Sequence, residues 1–511
     1  MKPSTELFKL VKSLSKSEKR FFKLSSSLQS GDKNYLKIFD AIDKQAVYDE
    51  EALKNEFKKE TFIKHLPSEK NHLYKLILKS LRSFYSEQSV SSLLKQEIKN
   101  VEILYNKALY RECEKFVSRA KEIAEEHEKF YYWYELISWQ KKLLEEAYEE
   151  GEFSTNLDAL VAEEEKVIAK LRNLAEYQVV YSKINLIFRS GGFTRNEQER
   201  KVVESIADYH LIKGKNTAIS TRASSMCYYI KGLCAATNRN YDDSFQFFNR
   251  TREILDNNLK IKEDSPQRYV MTLFHLLRCY TDSKDFENAE QLIGDLRGLV
   301  GKKGFNSTDI TVRIFTNTYN QQLNLLHVMG DFQKAVDLIP EIDQGKLAFS
   351  DKISKEQEIT LLYNTAYSYF GIGEYKKALS YLNDVLNDNE QNLRQDLYSF
   401  SRLLNLILHY ELENYDFLEY VIKSTNRYLS RYERDYQIED VVIKHIRKLS
   451  KAPNALARLD IFETMGKEVE ILLQDHQERV LLEYFNISAW ITGKIQKINF
   501  SEAVKVMLPK K

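Results

Sequence analysis

Residues 363–386, YNTAYSYFGIGEYKKALSYLNDVL, decide the fold because they combine two helical patterns with one sharp break. Apolar and aromatic residues recur at helical spacing before Gly371 and again after Gly373. Glycine adopts left-handed backbone angles without strain, so the Gly-Ile-Gly sequence predicts a tight turn between two short helices. Ala366 and Ala378 are small where two helix backbones would approach closely. The stretch predicts a helical hairpin, which needs neighbours to bury its apolar face.

The same spacing recurs along the chain, with an aromatic residue three positions before a small or apolar one. The five pairs are Tyr241 and Ser244, Phe286 and Ala289, Phe332 and Ala335, Tyr375 and Ala378, and Tyr415 and Leu418. Their second members lie 45, 46, 43 and 40 residues apart. The order small, aromatic, glycine, aromatic, alanine resembles the tetratricopeptide repeat, although that repeat has a period of ~34 residues. The resemblance predicts an all-α protein, an α-solenoid of TPR-like helical hairpins.

The pattern divides the chain into four predicted parts. In the irregular region at 91–215, Tyr110 and Cys113 repeat the aromatic-to-small spacing without a turn glycine. The parts are an N-terminal helical head domain at 1–90, an irregular TPR-like helical region at 91–215, regular TPR-like repeats at 216–425 and a C-terminal helical capping region at 426–511. Within the last part, the apolar run VLLEYFNISAWI predicts one buried terminal helix.

Composition supports this class and restricts the partners. Only 16 glycines and 6 prolines occur in 511 residues, which leaves little room for turn-rich β structure. The formal net charge of +1 argues against attraction of the whole molecule to nucleic acid or to a membrane. The four cysteines form no C-x-x-C pair, so we expect buried thiols in a reducing compartment. No apolar signal core and no apolar run of ~18 residues is present, so the predicted location is cytoplasmic.

The sequence contains no recognisable catalytic pattern. It lacks a phosphate-binding glycine loop, a G-x-S-x-G motif and an H-E-x-x-H motif. None of the nine histidines pairs with cysteine, histidine or aspartate at the spacing of metal ligands. We therefore expect no enzyme activity, no cofactor and no bound metal.

The resemblance implies a partner-binding groove, because the first helix of each tetratricopeptide hairpin lines a concave surface. Asparagine side chains both donate to and accept from a peptide backbone, and arginine binds a carboxylate in bidentate fashion. The predicted groove residues, which we expect to be partly exposed, are His275, Arg278, Asn317, Asn320, Asn324, Tyr363 and Tyr367. The competing interpretation is that the asparagines are ordinary surface residues and that the aromatic side chains pack the next hairpin.

These observations favour a non-enzymatic scaffold or adaptor that binds a peptide or a partner protein. The alternative is a partner-controlled transcription regulator whose head binds DNA. Residues 1–90 carry 18 lysines and arginines against 12 aspartates and glutamates, and Lys75, Lys79 and Arg82 share one helix face that could contact phosphates. Because this excess is modest, nucleic acid is the less favoured partner. The partner's identity and the oligomeric state stay open.

The chain as a whole also resembles a family of uncharacterised bacterial proteins of the Bacteroidota type. Three stretches carry this resemblance: SLSKSEKRFFKL at 13–24, KNHLYKLILKSLRSFY at 70–85 and ILHYELENYDFLEY at 407–420. It bears on the fold and the compartment and implies no activity.

Overall fold

The structure is a computed structural model that describes residues 5–27, 34–86, 88–150, 157–189, 194, 197–349, 352–388, 394–431, 436–475 and 478–508. Within these ranges the regular elements are helices, and no strand is present. The predicted all-α class is therefore confirmed. The chain divides into two compact units, Met1–Ala169 and Lys170–Lys511. The four-part division stays a prediction.

The first unit contains a set of short helices followed by longer ones. They are α1 (Glu6–Ser13), α2 (Lys16–Ser27), α3 (Asn34–Lys44), α4 (Glu50–Glu56), a 3-10 helix (Thr61–His65), α5 (Leu66–Phe84), α6 (Val90–Asn106), α7 (Tyr110–Glu126) and α8 (Phe130–Glu150). The unit boundary falls inside α9 (Leu157–Arg189). Helices α1 to α5 share an apolar core that includes Val11, Phe22, Ile38 and Ile77.

The second unit begins with smaller helices and continues with a series of helix pairs. Its helices are α10 (Glu197–Ala207), α11 (His210–Lys213), α12 (Thr221–Thr237), α13 (Tyr241–Asp256), α14 (Leu259–Asp264), α15 (Pro266–Asp282), α16 (Phe286–Arg297), α17 (Thr308–Met329), α18 (Phe332–Asp337), α19 (Ile339–Phe349), α20 (Lys355–Gly371), α21 (Tyr375–Leu386), α22 (Gln395–Glu411), α23 (Tyr415–Arg431), α24 (Gln437–Leu449), α25 (Ala455–Leu472), α26 (Leu481–Tyr484), α27 (Ile487–Gln496) and α28 (Phe500–Val506). A 3-10 helix (Glu478–Val480) precedes α26.

The five predicted aromatic positions are all helix starts. Helices α13, α16, α18, α21 and α23 begin at Tyr241, Phe286, Phe332, Tyr375 and Tyr415. The small or apolar residue three positions later is at most 1% exposed in each case. Each of these five helices packs against the preceding helix of its pair. Successive first helices of the pairs also contact one another, α15 with α17, α17 with α20 and α20 with α22. We call these four helices the first-helix row.

Among the described residues, seven turns between consecutive helices share one backbone conformation. In each turn, the second residue before the next helix is left-handed, with φ between 48° and 82°. These residues are Ala108, Glu128, Arg239, Lys284, Gly330, Gly373 and Glu413. The amide that follows donates to the carbonyl oxygen five positions earlier at 2.7 to 3.0 Å, which is the Schellman helix end. Two of the seven residues are glycine, so glycine alone reveals only part of this pattern in the sequence.

Gly371 is required for a different reason, because it is the last residue of α20 and lies against a side chain. A Cβ atom at this position would lie 2.0 Å from Cδ1 of Phe332. The Phe332 ring is fully buried and stacks on His327 with the ring centroids 5.2 Å apart, so it has no space to withdraw. The contact between α20 and α18 therefore depends on the absence of a side chain at Gly371.

We expect Gly371→Ala to lower the free energy of unfolding by ~1–3 kcal/mol, because the added methyl group overpacks the contact with Phe332. Gly294 in α16 provides the matched control, since a Cβ atom there would meet nothing within 4 Å. Gly294→Ala should stabilise the protein by ~0.5–1 kcal/mol through helix propensity alone. Thermal melts of the two variants should therefore shift in opposite directions. Equal shifts would show that the Phe332 contact is not rigid.

Candidate functional site

The first-helix row carries the predicted groove residues, but four of them are buried. His275 and Asn320 are 8% and 7% exposed, and Tyr363 and Tyr367 are 2% and 7% exposed. The expectation that these side chains are partly exposed is therefore wrong for all four. The physical reason is that helices α12 and α13 cover His275, α20 covers Asn320, and a later part of the chain covers the two tyrosines.

The polar side chains of His275 and Asn320 bond to side chains on other helices instead of facing solvent. His275 Nε2 shares a hydrogen bond of 3.0 Å with the hydroxyl of Tyr229, which lies on α12. Asn364 Nδ2 on α20 donates to Asn320 Oδ1 on α17 at 3.0 Å. Burial lowers the pKa of His275 to about 3, so its imidazole is neutral at physiological pH. These buried bonds satisfy polar groups between helices and restrict the ways in which the helices can pack.

A short stretch near the C-terminal end, residues 481–486, lies on the row; we call it the 481–486 segment. Arg278 Nη2 donates to Oε2 of Glu483 in this segment at 2.8 Å. Asp282, one turn further along α15, has its Oδ2 atom 3.7 Å from Nε of the same guanidinium. Burial raises the pKa of both carboxyl groups, and the positive charge of Arg278 opposes that rise. Arg278 is therefore the shared cation of the Glu483 and Asp282 carboxylates.

The two predicted groove tyrosines bind the main chain of the same segment. The hydroxyl of Tyr363 donates to the carbonyl oxygen of Tyr484 at 3.0 Å. The amide of Asn486 donates to the hydroxyl of Tyr367 at 3.1 Å. Main-chain bonds of this kind recognise the path of a polypeptide and not its side chains. The structure thus brings Arg278, Tyr363 and Tyr367 together around one piece of chain.

Phe485 is the apolar anchor of the segment. Its side chain is 3% exposed, and its ring lies 5.2 Å from that of Phe370 and 5.6 Å from that of Tyr367. Phe500 of α28 stacks on the other side with the ring centroids 5.7 Å apart. Aromatic clusters of this geometry contribute beyond the burial of their surface. A pocket for one phenyl ring is therefore part of this face.

Tyr484 occupies a second pocket, on α22. Its ring stacks on Phe400 with the centroids 4.2 Å apart, and its hydroxyl donates to the carboxylate of Asp396. Arg394 Nη2 lies 2.7 Å from the same carboxylate. Burial works against ionisation, yet the arginine and the hydrogen bonds hold the pKa of Asp396 below its ordinary value. The tyrosine hydroxyl therefore meets a charged acceptor.

The helices that follow the segment have anchors of their own. Trp490 Nε1 and Lys494 Nζ, both on α27, each donate to the carboxylate of Glu411 at 2.6 Å. Ser501 Oγ on α28 donates to the carbonyl oxygen of Gly330 at 2.6 Å. Helices α27 and α28 therefore have contacts with α22 and with the α17–α18 turn in addition to those with residues 481–486.

Three of the predicted groove residues keep solvent access. Asn317 and Asn324 are half-buried on α17, and about a third of the Arg278 side chain, 33%, is exposed. Asn317 Nδ2 donates to the carbonyl oxygen of Arg313 in its own helix at 2.9 Å. These three side chains are the part of the predicted site that an incoming molecule can reach.

The alternative nucleic-acid site lies on the first unit. Lys75, Lys79 and Arg82 are exposed along one side of α5, whereas Leu73 and Ile77 on its other side are fully buried. The predicted placement of the three cations on one helix face is therefore present. Contact with DNA stays a prediction.

The sequence did not predict that residues 481–486 bind the first-helix row, because the apolar run around them predicted a single buried helix. The structure confirms the burial of Phe485 and Trp490 but splits the run into α26 and α27. Asn486 causes the break, since its side chain caps α27 by accepting from the amide of Ala489 at 3.0 Å. The asparagine was a usable signal for this break. No local signal pairs Glu483 with Arg278, which is 205 positions away.

The four cysteines, Cys113, Cys227, Cys234 and Cys279, are buried thiols, as predicted, and burial raises the pKa of each. In the described ranges no three side chains of His, Cys, Asp or Glu are placed to hold a metal ion. No helix in those ranges is both long and apolar enough to cross a membrane. Comparison with protein-family models and with curated proteins finds no match for this chain.

Proposed function

We propose that this chain is a tetratricopeptide-like α-solenoid that acts as a cytoplasmic scaffold or adaptor without catalytic activity. Its function is to bind a segment of a partner protein on the first-helix row. The observation that carries this proposal is that the row already holds a piece of polypeptide, residues 481–486, by both main-chain and side-chain contacts.

The repeated turns support the solenoid. Seven Schellman turns with one hydrogen-bond pattern are what a recurring helix-pair design would produce. In each pair the small or apolar residue is buried and the two helices pack against each other, and the first helices of the row also contact the next pair. Stacked helix pairs of this kind form extended surfaces that are already ordered before a ligand arrives, so binding does not require the protein to fold.

The reachable part of the row has suitable chemistry for a peptide. Asn317 and Asn324 each offer an amide donor and a carbonyl acceptor to a peptide backbone, and the exposed third of Arg278 offers charge to an acidic side chain or a carboxyl terminus. Loss of one charge-assisted hydrogen bond costs roughly 1.5–3 kcal/mol, which weakens binding about tenfold or more.

The test is the triple variant Arg278→Ala, Asn317→Ala, Asn324→Ala of the full chain. Asn317 and Asn324 are partly exposed and should contribute little to stability. Loss of Arg278 leaves the carboxylates of Glu483 and Asp282 without their shared cation, so we expect a lower melting temperature and check by circular dichroism that the variant is folded. Quantitative pull-down from cells of the source organism should recover a partner with the parent and at least tenfold less of it with the variant. Asn383→Ala is the matched control, since Asn383 is exposed on α21, a second helix, and its loss should leave recovery unchanged.

Full recovery of the partner by the folded triple variant would place the binding site elsewhere on the molecule. Equal losses with the triple variant and with Asn383→Ala would indicate a general effect of substitution and would contradict a site on the first-helix row.

A further inference from the structure

The 481–486 segment defines what kind of ligand fits the row, because its contacts are specific to side-chain type. A carboxylate at Glu483 meets Arg278, a phenol at Tyr484 meets the Asp396 carboxylate, and a phenyl ring at Phe485 fills the aromatic pocket. The remaining bonds, to the carbonyl oxygen of residue 484 and the amide of residue 486, are available from any peptide that follows the same path.

The segment is also held in a way that allows it to leave. The ion pair between Glu483 and Arg278 is partly exposed, with 31% and 33% of the two side chains accessible, and such pairs hold weakly in water. Leu482 is 40% exposed and adds little burial, so the apolar contacts of the segment come from Leu481 and Phe485, which are 2% and 3% exposed. Helices α27 and α28 also bind Glu411 and Gly330, and neither contact involves residues 481–486, so displacement of the segment leaves both contacts in place.

We propose that the first-helix row binds, from a partner protein, a peptide with an acidic residue followed by two aromatic residues, and that residues 481–486 occupy the same site as an internal competitor. This inference rests on the proposed function and specifies the ligand and its regulation. The partner's acidic residue takes the place of Glu483, and its two aromatic side chains enter the pockets of Tyr484 and Phe485. Arg278, Tyr363 and Tyr367 are the receptor residues for both ligands.

Competition within one chain has a measurable consequence. A covalently attached ligand is present at a high effective concentration, so the site is free in only a small fraction of the molecules. The apparent dissociation constant of an external peptide equals its intrinsic value divided by that fraction. If the segment is bound in about 99 of 100 molecules, the external peptide binds about a hundredfold more weakly than it would to an open site.

The probe is a fluorescein-labelled peptide of residues 481–488, LLEYFNIS, and its binding is followed by fluorescence anisotropy. The release variant is the full chain with Glu483→Ala and Phe485→Ala, which removes the internal ligand but leaves the receptor residues intact. We expect this variant to bind the peptide at least tenfold more tightly than the parent does. A peptide of the same composition in scrambled order is the control, and it should bind neither protein.

A charge exchange tests the contact with Arg278 directly. Adding Arg278→Glu to the release variant should abolish binding of LLEYFNIS and should permit binding of a peptide with lysine in place of its glutamate. If the release variant unfolds, the single variant Glu483→Lys replaces it in the peptide-binding measurement. It removes a partly exposed side chain and places a cation beside Arg278, so it too should bind LLEYFNIS several-fold more tightly than the parent.

The inference is overturned if neither the release variant nor Glu483→Lys, shown to be folded by circular dichroism, binds LLEYFNIS more tightly than the parent. Equal binding of the scrambled peptide overturns it as well. This failure is distinguishable from failure of the proposed function. If the Arg278, Asn317 and Asn324 variant still loses its cellular partner, the row binds a ligand of other chemistry.

Discussion

Ala378→Arg should destabilise the second unit by about 4 kcal/mol or more, the largest effect that we expect from a single substitution. Ala378 is fully buried on the side of α21 that faces α20, and it belongs to the main apolar core of the unit. Arginine there would overpack the contact and would bury a charge without a partner. Ala335→Arg, at the equivalent position of α18, should behave similarly because Ala335 is also fully buried.

The matched control is Ser380→Arg, because Ser380 lies two residues further along α21 and is exposed. It introduces the same side chain into the same helix and should change stability by less than ~0.5 kcal/mol. Chemical denaturation followed by circular dichroism compares the three variants with the parent. If Ala378→Arg and Ser380→Arg unfold at the same denaturant concentration, the packing of α20 on α21 is not as described.

The second large effect is expected at the joint between α22 and the 481–486 segment. Arg394→Met removes the cation beside Asp396 while keeping much of the apolar volume of the side chain. The Asp396 side chain is 15% exposed, so its carboxylate would remain largely buried with the hydroxyl of Tyr484 as its main partner. Breaking one side of a buried ion pair in this way costs ~3–5 kcal/mol.

The double variant Arg394→Met, Asp396→Leu separates this explanation from simple loss of packing. Removing both charges leaves no unpaired carboxylate, so the double variant should recover most of the stability lost by the single one. The pH dependence offers a second measurement. The lowered pKa of Asp396 contributes stability above the ordinary aspartate pKa, and this stability is lost as the pH falls through the lowered value. A double variant as unstable as Arg394→Met would contradict the role assigned to the charge.

The helical class and the five pairs of an aromatic and a small or apolar residue follow from the sequence alone, and the structure shows that each aromatic residue begins a helix. An aromatic residue three positions before a small one is a local pattern, and helix periodicity and capping are decided within a few residues. This is why Tyr241, Phe286, Phe332, Tyr375 and Tyr415 could each be placed before any contact was known. Glycine marked only two of the seven left-handed turns in the sequence. Left-handed turns at Arg239, Lys284 and Glu413 have the same geometry as the one at Gly373, but their side chains give no sign of it.

The candidate site was determined only in part. The sequence placed Arg278, Tyr363 and Tyr367 on first helices, and the structure brings them around one segment. It did not indicate that His275 and Asn320 are buried, because helix periodicity gives the face of a residue but not what covers that face. Tyr229 on α12 supplies the partner of His275, and Asn364 on α20 supplies the partner of Asn320.

Only the tertiary structure revealed what lies on the row. Glu483 reaches Arg278 across 205 positions, and Tyr484 reaches Tyr363 across 121. No local propensity encodes a contact at such separation, since it forms only when all the intervening helix pairs have stacked and closed the loop between the two ends. The local sequence therefore determined the helices and many of their turns, and the folded chain decided which surface they share and which of its own residues occupy it.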